Sequence, residues 1–259
     1  MSGAVLLSLE RIRFDFDPFP IGYATDVLPI DVYRELAASY PPLELFRSMP
    51  VHGKKYSLSE LNHPDEYRSF LRRVPVWGRL HAEVKAPAFV ARVVDLLLRH
   101  GIDLGLEGRH VVVNRRRAAL LERCRSALEL LRAGRTSRVP LRSRFEFSML
   151  PADGGCIRPH TDSPGKLVTL VLSMLSEPWP PEYGGGTEVL RPLDVRRSFN
   201  QENAYLEFDQ VESLRAYPFV PNQCVVFVKT FNSLHAVSPM TGAGSPAMRK
   251  TLTINIETA

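Results

Sequence analysis

The sequence is poor in the features that mark secreted, membrane-spanning and zinc-binding proteins. Its three cysteines, Cys124, Cys156 and Cys224, are odd in number and widely spaced, so they form neither a disulfide framework nor a zinc motif. The longest apolar run, residues 167–175, is too short for a membrane-spanning helix and suits a buried strand. The first residues lack a basic stretch followed by a long apolar run. We therefore expect a cytoplasmic protein with no membrane segment.

The sequence also lacks internal repeats, low-complexity tracts and obvious linkers. Hydrophobic residues make up 44% and charged residues 24% of its 259 residues, as in an ordinary soluble globular protein. A chain of this length can bury one large core. We therefore expect a single domain over residues 1–259.

Positive charge is concentrated in one segment. Residues 109–144 contain eleven arginines and two acids, whereas the net charge of the whole chain is +5. Such a block can attract nucleic acid or an anionic substrate. However, leucines recur at helical spacing between Asn114, a good N-cap residue, and Gly134, a good residue to end a helix. This pattern favours a helix with a solvated basic face.

The pattern of predicted elements changes near residue 140. Before it, helices are predicted over residues 29–39, 65–74, 88–100 and 115–133. After it come short β-rich runs separated by Gly, Pro and Asn: residues 144–150, 166–175, 186–193, 203–208, 223–230, 234–240 and 249–257. The chain is therefore predicted to be α+β with a mainly β core. A β-sandwich or small barrel over about 141–259 would be backed by a mostly helical layer over about 1–140.

Three pairs of a histidine and an acid, two positions apart, are candidate metal ligands. In residues 63–65 the acid directly precedes a helical pattern and is most simply an N-cap. Residues 81–83 lie in a predicted helix, where side chains two positions apart diverge. His160 and Asp162 follow a strand and a Gly-Gly turn, and in extended backbone their side chains project to the same side. The third pair is therefore the predicted metal site.

Two further segments complete a site around His160 and Asp162. His235, in a strand-like segment, can supply a second imidazole, and two imidazoles with one carboxylate on one face of an ion suit non-haem Fe(II). In the last strand, polar residues from Arg249 to Asn255 alternate with apolar ones, so one face packs on the core and the other lines a polar cavity. The Arg249 guanidinium can bind a carboxylate with two parallel hydrogen bonds, and the Thr251 hydroxyl can add a third.

Taken together, His160-x-Asp162, distal His235 and Arg249-x-Thr251 resemble the Fe(II)/2-oxoglutarate-dependent oxygenases. The likeness covers residues 144–257 and is greatest to the branch of prolyl hydroxylases and small-molecule hydroxylases. The resemblance implies a double-stranded β-helix, a jelly-roll or cupin-like barrel. It also implies that His160, Asp162 and His235 hold Fe(II), and that Arg249 and Thr251 bind the distal carboxylate of 2-oxoglutarate. O2 would then oxidise this co-substrate to succinate and CO2 while a substrate C–H bond is oxidised.

Departures from family patterns narrow the expected substrate. Halogenating members have a small residue in place of Asp162, so hydroxylation or another oxidation such as desaturation is favoured. Asn255 stands where nucleic-acid demethylases often carry a second arginine, which argues against a nucleic-acid partner. Ile157 and Arg249 replace the tyrosine and lysine usual in prolyl hydroxylases. We therefore expect hydroxylation of a small organic molecule such as an amino acid, a sugar or a natural-product intermediate.

Two alternatives remain open from sequence. One is a protein side-chain hydroxylase of the prolyl type. The other is a non-enzymatic metal-binding β-barrel that acts as a sensor or interaction module. Oxygen consumption in the presence of Fe(II) and 2-oxoglutarate distinguishes an enzyme from such a module. The sequence makes no prediction of the oligomeric state.

Overall fold

The computed structural model describes residues 5–50, 53–104, 110–112 and 139–258. Within these residues there are four α-helices: α1 (Ile30–Ala38), α2 (Pro64–Arg73), α3 (Pro75–Lys85) and α4 (Pro87–Arg99). The strands, in chain order, are β1 (Arg13–Asp15), β2 (Ile21–Ala24), β3 (Arg47–Met49), β4 (Lys55–Ser59), β5 (His110–Val112), β6 (Val139–Pro151), β7 (Ile157–His160), β8 (Lys166–Ser173), β9 (Thr187–Pro192), β10 (Val211–Tyr217), β11 (Cys224–Val228), β12 (His235–Val237) and β13 (Met248–Thr258).

These strands form two sheets, which together make a barrel. The larger sheet has the order β1-β2-β11-β8-β13-β6-β4-β3, with β5 pairing to β6, and the smaller has the order β10-β9-β12-β7. From β7 onward the chain passes repeatedly between them: β7, β9, β10 and β12 belong to the smaller sheet, and β8, β11 and β13 to the larger. This alternation of antiparallel strands is the double-stranded β-helix, so the fold predicted from sequence is confirmed.

The helices cover the outer face of the larger sheet. Helices α2, α3 and α4 each have a proline at the first helical position, where its missing N–H costs nothing. Their buried side chains form one hydrophobic cluster with the apolar positions of β13, namely Leu252, Ile254 and Ile256. At the centre, the Phe147 ring on β6 contacts the Trp77 indole of α3 at a centroid distance of 4.7 Å. The period-two pattern of the last strand therefore separates the helix-packed core from the barrel interior.

The inner face of the larger sheet meets the smaller sheet. An apolar cluster closes one part of this interface: Phe19, Ile21, Val189, Tyr217, Val225 and Phe227. Around it the inner face is polar, with buried Glu146, Ser148, Thr251 and Asn255. A polar barrel interior of this kind suits a binding site better than a structural core.

One predicted strand is wrong, and several strands were not predicted: β10, β7 and the short strands β1 to β5. Residues 203–207 are irregular and lead into a short 3-10 helix, Phe208–Gln210, because the Asn200 side chain bonds both the N–H and the C=O of Ala204 and closes a turn. The strand lies later, at Val211–Tyr217, as a mostly exposed strand at one end of the smaller sheet. Its exposed side chains do not alternate between apolar and polar, so a period-two pattern could not predict this strand.

Two further expectations concern parts of the chain outside the barrel. The helix predicted over residues 115–133, with most of the arginine-rich segment, lies outside the described residues. Among the described residues, no helix has the length and apolar character needed to span a bilayer.

Candidate metal centre

The structure brings His160, Asp162 and His235 together. One potential ligand atom from each side chain lies within 4.8 Å of the other two. His160 ends β7 and His235 begins β12, and these two residues are direct partners in the antiparallel register of the smaller sheet. Their imidazole centroids are 4.4 Å apart. The strand pairing thus places two imidazoles side by side, with a carboxylate beside them.

Asp162 reaches this position in a different way from the one predicted. We expected extended backbone, whereas Asp162 follows the end of β7 and has a φ of 69°, in the left-handed region. This conformation is uncommon for a residue other than glycine, and it turns the carboxylate back toward the imidazoles. His160 Nε2 lies 3.8 Å from Asp162 Oδ1. The two side chains converge, but through a turn rather than through the alternation of a strand.

Backbone carbonyls set the orientation of both imidazoles. His160 Nδ1 lies 2.9 Å from the Arg158 carbonyl oxygen, and His235 Nδ1 lies 2.9 Å from the Ser233 carbonyl oxygen. A carbonyl accepts a hydrogen bond, so in each ring Nδ1 carries the proton and Nε2 has a free lone pair. In addition, Phe227 stacks on His235 at a centroid distance of 3.9 Å. This tautomer is the one required for metal ligation through Nε2.

The surroundings also keep the three groups in ligating protonation states. Burial, and to a smaller extent the neighbouring His235, lowers the pKa of His160 to about 3. Burial also lowers the pKa of His235. Burial alone would raise the pKa of Asp162, but the Lys166 ammonium and the adjacent imidazoles outweigh it, so this pKa lies well below its ordinary value. At neutral pH the site therefore presents two neutral imidazoles and one carboxylate.

Three side chains outside the triad hold Asp162 in place. Its Oδ1 accepts a hydrogen bond from the Lys166 ammonium, and its Oδ2 accepts one from the Thr169 hydroxyl at 2.8 Å. The Lys229 ammonium donates to the Asp162 carbonyl oxygen and to Thr161 Oγ1, both at 2.9 Å. Period-two spacing in β8 could have suggested an inward Thr169. No sequence pattern indicated Lys229, which lies in the turn after β11.

Arg249 is buried inside the barrel on β13. Its Nε donates to the Gly185 carbonyl oxygen at 2.6 Å, and its Cζ lies 4.5 Å from the centre of the Phe219 ring. Gly185 has a φ of 83°, and a Cβ there would lie 3.3 Å from Arg249 Cδ, so the glycine permits this close approach. The backbone of this glycine-rich turn therefore orients the guanidinium.

Among the described residues, the Arg249 guanidinium pairs with no carboxylate. Burial lowers its pKa to about 10, yet it remains charged at neutral pH. Thr251, two positions further along the same face of β13, is also buried. A buried cation without a counter-charge is costly, so this end of the barrel is suited to an anionic ligand.

Lys250, next to Arg249 on β13, faces the opposite side of the sheet, as strand alternation predicts. Its ammonium lies 5.7 Å from the centre of the Tyr40 ring, on the helix side of the sheet. The two other histidine–acid pairs are accounted for by packing. The His81 ring contacts the Phe145 ring edge to face, and Glu83 accepts hydrogen bonds from the backbone N–H groups of residues 6 and 7. For the pair at residues 63–65 the predicted N-cap is wrong: Asp65 lies in the first turn of α2, and the N-cap is His63.

No protein-family model matches the sequence, and no curated protein is a significant match. Among solved structures, the chain is similar to a Pseudomonas putida prolyl-4-hydroxylase, with 15% identity, 92% of each chain covered and a TM-score of 0.44. It is also similar to the non-heme alpha ketoglutarate dependent epimerase SnoN from nogalamycin biosynthesis, with 10% identity, coverage of 92% of this chain and 76% of that chain, and a TM-score of 0.47.

A further similar structure is HygX from Streptomyces hygroscopicus, solved with nickel and 2-oxoglutarate bound. Its identity is 12%, the match covers 92% of this chain and 83% of HygX, and the TM-score is 0.44. At such identities these similarities concern the fold alone.

Proposed function

We propose that the protein is an Fe(II)- and 2-oxoglutarate-dependent oxygenase that hydroxylates a C–H bond of a small organic molecule. The observation that carries the proposal is the convergence of two neutral imidazoles and a carboxylate within 4.8 Å in one barrel. This donor set leaves coordination positions open on one side of an ion and suits non-haem Fe(II). The buried, unpaired Arg249 supports the proposal independently, because it fits a dicarboxylate co-substrate.

His160, Asp162 and His235 would hold the ion. When bound, the iron and 2-oxoglutarate supply the oxidation of a C–H bond by O2, with succinate and CO2 as products. The chain itself contributes orientation: the carbonyls of Arg158 and Ser233 fix the two rings, and Lys166 and Thr169 fix the carboxylate. Arg249 and Thr251 would bind the distal carboxylate of the co-substrate. Orienting both reactants in this way removes much of the entropic cost of the reaction.

Aromatic side chains border the centre and limit the access of water. Phe227 covers one face of His235, and Tyr205 stacks on His160 at a centroid distance of 5.6 Å. Tyr205 is partly exposed, so it lies at the mouth of the site. A substrate entering here would displace water from the open side of the ion. Excluding water in this way limits side reactions.

The first test measures metal binding and succinate formation by His160→Ala and Asp162→Ala. Both variants should lose binding of Fe(II) and formation of succinate from 2-oxoglutarate. His100→Ala, which removes a histidine at the C-terminal end of α4, is the matched control and should behave like the wild type. Full activity in either triad variant refutes the assignment. Binding of metal and 2-oxoglutarate by the wild type without oxygen consumption favours the non-enzymatic sensor.

The second test measures the 2-oxoglutarate requirement of Arg249→Leu. Removing the guanidinium leaves a carboxylate without its partner in a buried site, at a cost of about 3–5 kcal/mol. The apparent affinity for 2-oxoglutarate should therefore fall by a factor of roughly 10² to 4 × 10³. Arg249→Lys keeps the charge but not the paired N–H donors, so its affinity for 2-oxoglutarate should lie between those of the wild type and Arg249→Leu. Arg34→Leu, which changes an exposed side chain of α1, should have no effect. An unchanged requirement in Arg249→Leu would move the anchor to another cation.

A further inference from the structure

An ionic cluster lies on the inner face of the larger sheet. Glu146, buried on β6, accepts hydrogen bonds from the Lys55 ammonium at 2.7 Å and from Arg144 at 3.0 Å. Glu257, on β13, accepts one from Arg142 at 2.9 Å, and its second oxygen lies 3.5 Å from Arg144 Nε. Each carboxylate thus pairs with two cations.

This cluster borders the candidate metal centre. In the register of the sheet, Glu146 is opposite Thr253, Arg144 is opposite Asn255, and Asn255 is also opposite Thr169. The Thr169 hydroxyl lies 2.9 Å from the Asn255 amide oxygen and bonds Asp162. Lys166, which bonds Asp162 directly, also acts electrostatically on Glu146. The cluster and the triad are therefore neighbouring parts of one polar interior.

The charges of this cluster do not balance, and a bound metal increases the difference. Among the described residues, four cations form salt bridges with three carboxylates here: Lys55, Arg142, Arg144 and Lys166 with Asp162, Glu146 and Glu257. A divalent ion bound by Asp162 would neutralise the charge of this carboxylate, which leaves the four cations with two carboxylates. All four side chains are at most about one-third exposed, so solvent screens them weakly.

Arg144 also has an unused donor. Its Nε is buried and makes no hydrogen bond among the described residues, since the approach to Glu257 lacks hydrogen-bond geometry. A buried guanidinium N–H without a partner is costly unless a ligand accepts its hydrogen bond. Lys166 loses its main counter-charge when Asp162 ligates an ion. These two cations are therefore the ones with capacity for a further anion.

We propose that the substrate carries an acidic oxyanion group, such as a carboxylate, sulfate or phosphate, which binds between Lys166 and Arg144 beside the metal centre. This inference rests on the proposed function and specifies the substrate class of the same site. Binding at this position would hold the substrate close to the ion through two charge-assisted hydrogen bonds. It is distinct from Arg249, which serves the co-substrate at another part of the inner face.

The experiment uses the full chain loaded with Mn(II) and 2-oxoglutarate, so that no oxidation occurs during the measurement. The first probe is methanesulfonate, an anion that ligates metals weakly, and its neutral comparison of similar shape is dimethyl sulfone. Relaxation of their methyl protons by Mn(II) reports binding close to the ion. Acetate and methyl phosphate, titrated in the same way, show which acidic group the site prefers. Binding of Mn(II) and of 2-oxoglutarate is measured on the same samples.

We expect saturable relaxation with methanesulfonate and none with dimethyl sulfone. Lys166→Met and Arg144→Met should each weaken methanesulfonate binding about tenfold or more, because each removes a charge-assisted hydrogen bond. Lys166→Arg should retain binding. The matched controls are Lys54→Met and Arg34→Met, which remove exposed cations of the same type and should bind like the wild type.

Equal relaxation of methanesulfonate and dimethyl sulfone by the wild type overturns the proposal, and this comparison requires no variant to fold. Unchanged binding in both charge-removing variants also overturns it. If Mn(II) and 2-oxoglutarate bind normally in these cases, the proposed function stands and the subsite alone is wrong. If the wild type binds neither Mn(II) nor 2-oxoglutarate, the proposed function fails and the subsite fails with it.

Discussion

Replacing Glu146 with glutamine removes the charge of a buried carboxylate while preserving its shape. Burial raises the pKa of Glu146, but the Lys55 ammonium and the Arg144 guanidinium outweigh it and lower this pKa from 4.5 to about 2. A carboxyl group whose pKa is lower by this much in the folded chain than in the unfolded chain stabilises the folded state by about 3 kcal/mol at neutral pH. Glu146→Gln should therefore lower the free energy of unfolding by about that amount.

The pH dependence of this loss follows from the direction of the shift. Because folding lowers the pKa, the stabilisation is fully present above pH 4.5 and is lost as the pH falls toward 2. Below that pH the wild-type residue is protonated and resembles glutamine. The stability difference between wild type and variant should therefore be about 3 kcal/mol at pH 7, about half of that near pH ~3.3, and close to zero at about pH 2.

Urea unfolding of the two proteins, followed by circular dichroism across this range, measures the difference directly. Taking the difference cancels the other groups that titrate in both proteins. Glu202→Gln, at a turn residue exposed to solvent, is the matched control and should show little difference at any pH. A difference for Glu146→Gln that stays constant from pH 7 to pH 3 would refute the ionic origin of the effect and point to packing.

Two further predictions concern the metal centre and the core. Lys229→Met removes the ammonium that bonds the carbonyl of Asp162 and the Thr161 hydroxyl. Metal affinity, measured by competition with a chelating dye, should therefore fall by about tenfold or more. An affinity equal to that of Lys54→Met would show that Asp162 keeps its position without this lysine. Phe147→Ala removes a fully buried ring that contacts Tyr40, Tyr67, Phe70, Trp77 and Phe145, so urea unfolding should show a loss of about 3–5 kcal/mol. The exposed Phe231→Ala should cost less than about 1 kcal/mol, and similar losses in both would contradict the assignment of the core.

The last strand shows how far periodicity can predict this fold. The alternation of Arg249 and Thr251 with Leu252 and Ile254 correctly separated the barrel interior from the helix-packed face. The short β-rich runs over residues 166–175 and 223–230 also predicted β8 and β11. By contrast, residues 203–208 have a suitable composition for a strand, but the local bonds of Asn200 to Ala204 prevail over it.

The surroundings of the triad were less predictable. The sequence indicated that His160, Asp162 and His235 would meet. It gave no signal for the left-handed backbone of Asp162 or for Lys229, whose ammonium bonds the Asp162 carbonyl oxygen. Lys166 faces the interior because the pairing of β8 with β13 shifts register between Ile256 and Glu257. Such a shift arises from the packing of two sheets and has no signal in a single strand. That these side chains bind metal and 2-oxoglutarate stays a prediction.

The pairing of His160 with His235 across β7 and β12 has a consequence for how the protein assembles. The two rings belong to distant parts of the chain and become neighbours when the smaller sheet has formed. An unfolded chain therefore presents no complete ligand set, and an ion that binds the native state alone stabilises it by mass action. Because this long-range pairing carries a loop-closure cost, the ligand set should be completed late during folding. The moment at which refolding chains begin to retain the ion would then report closure of the barrel itself.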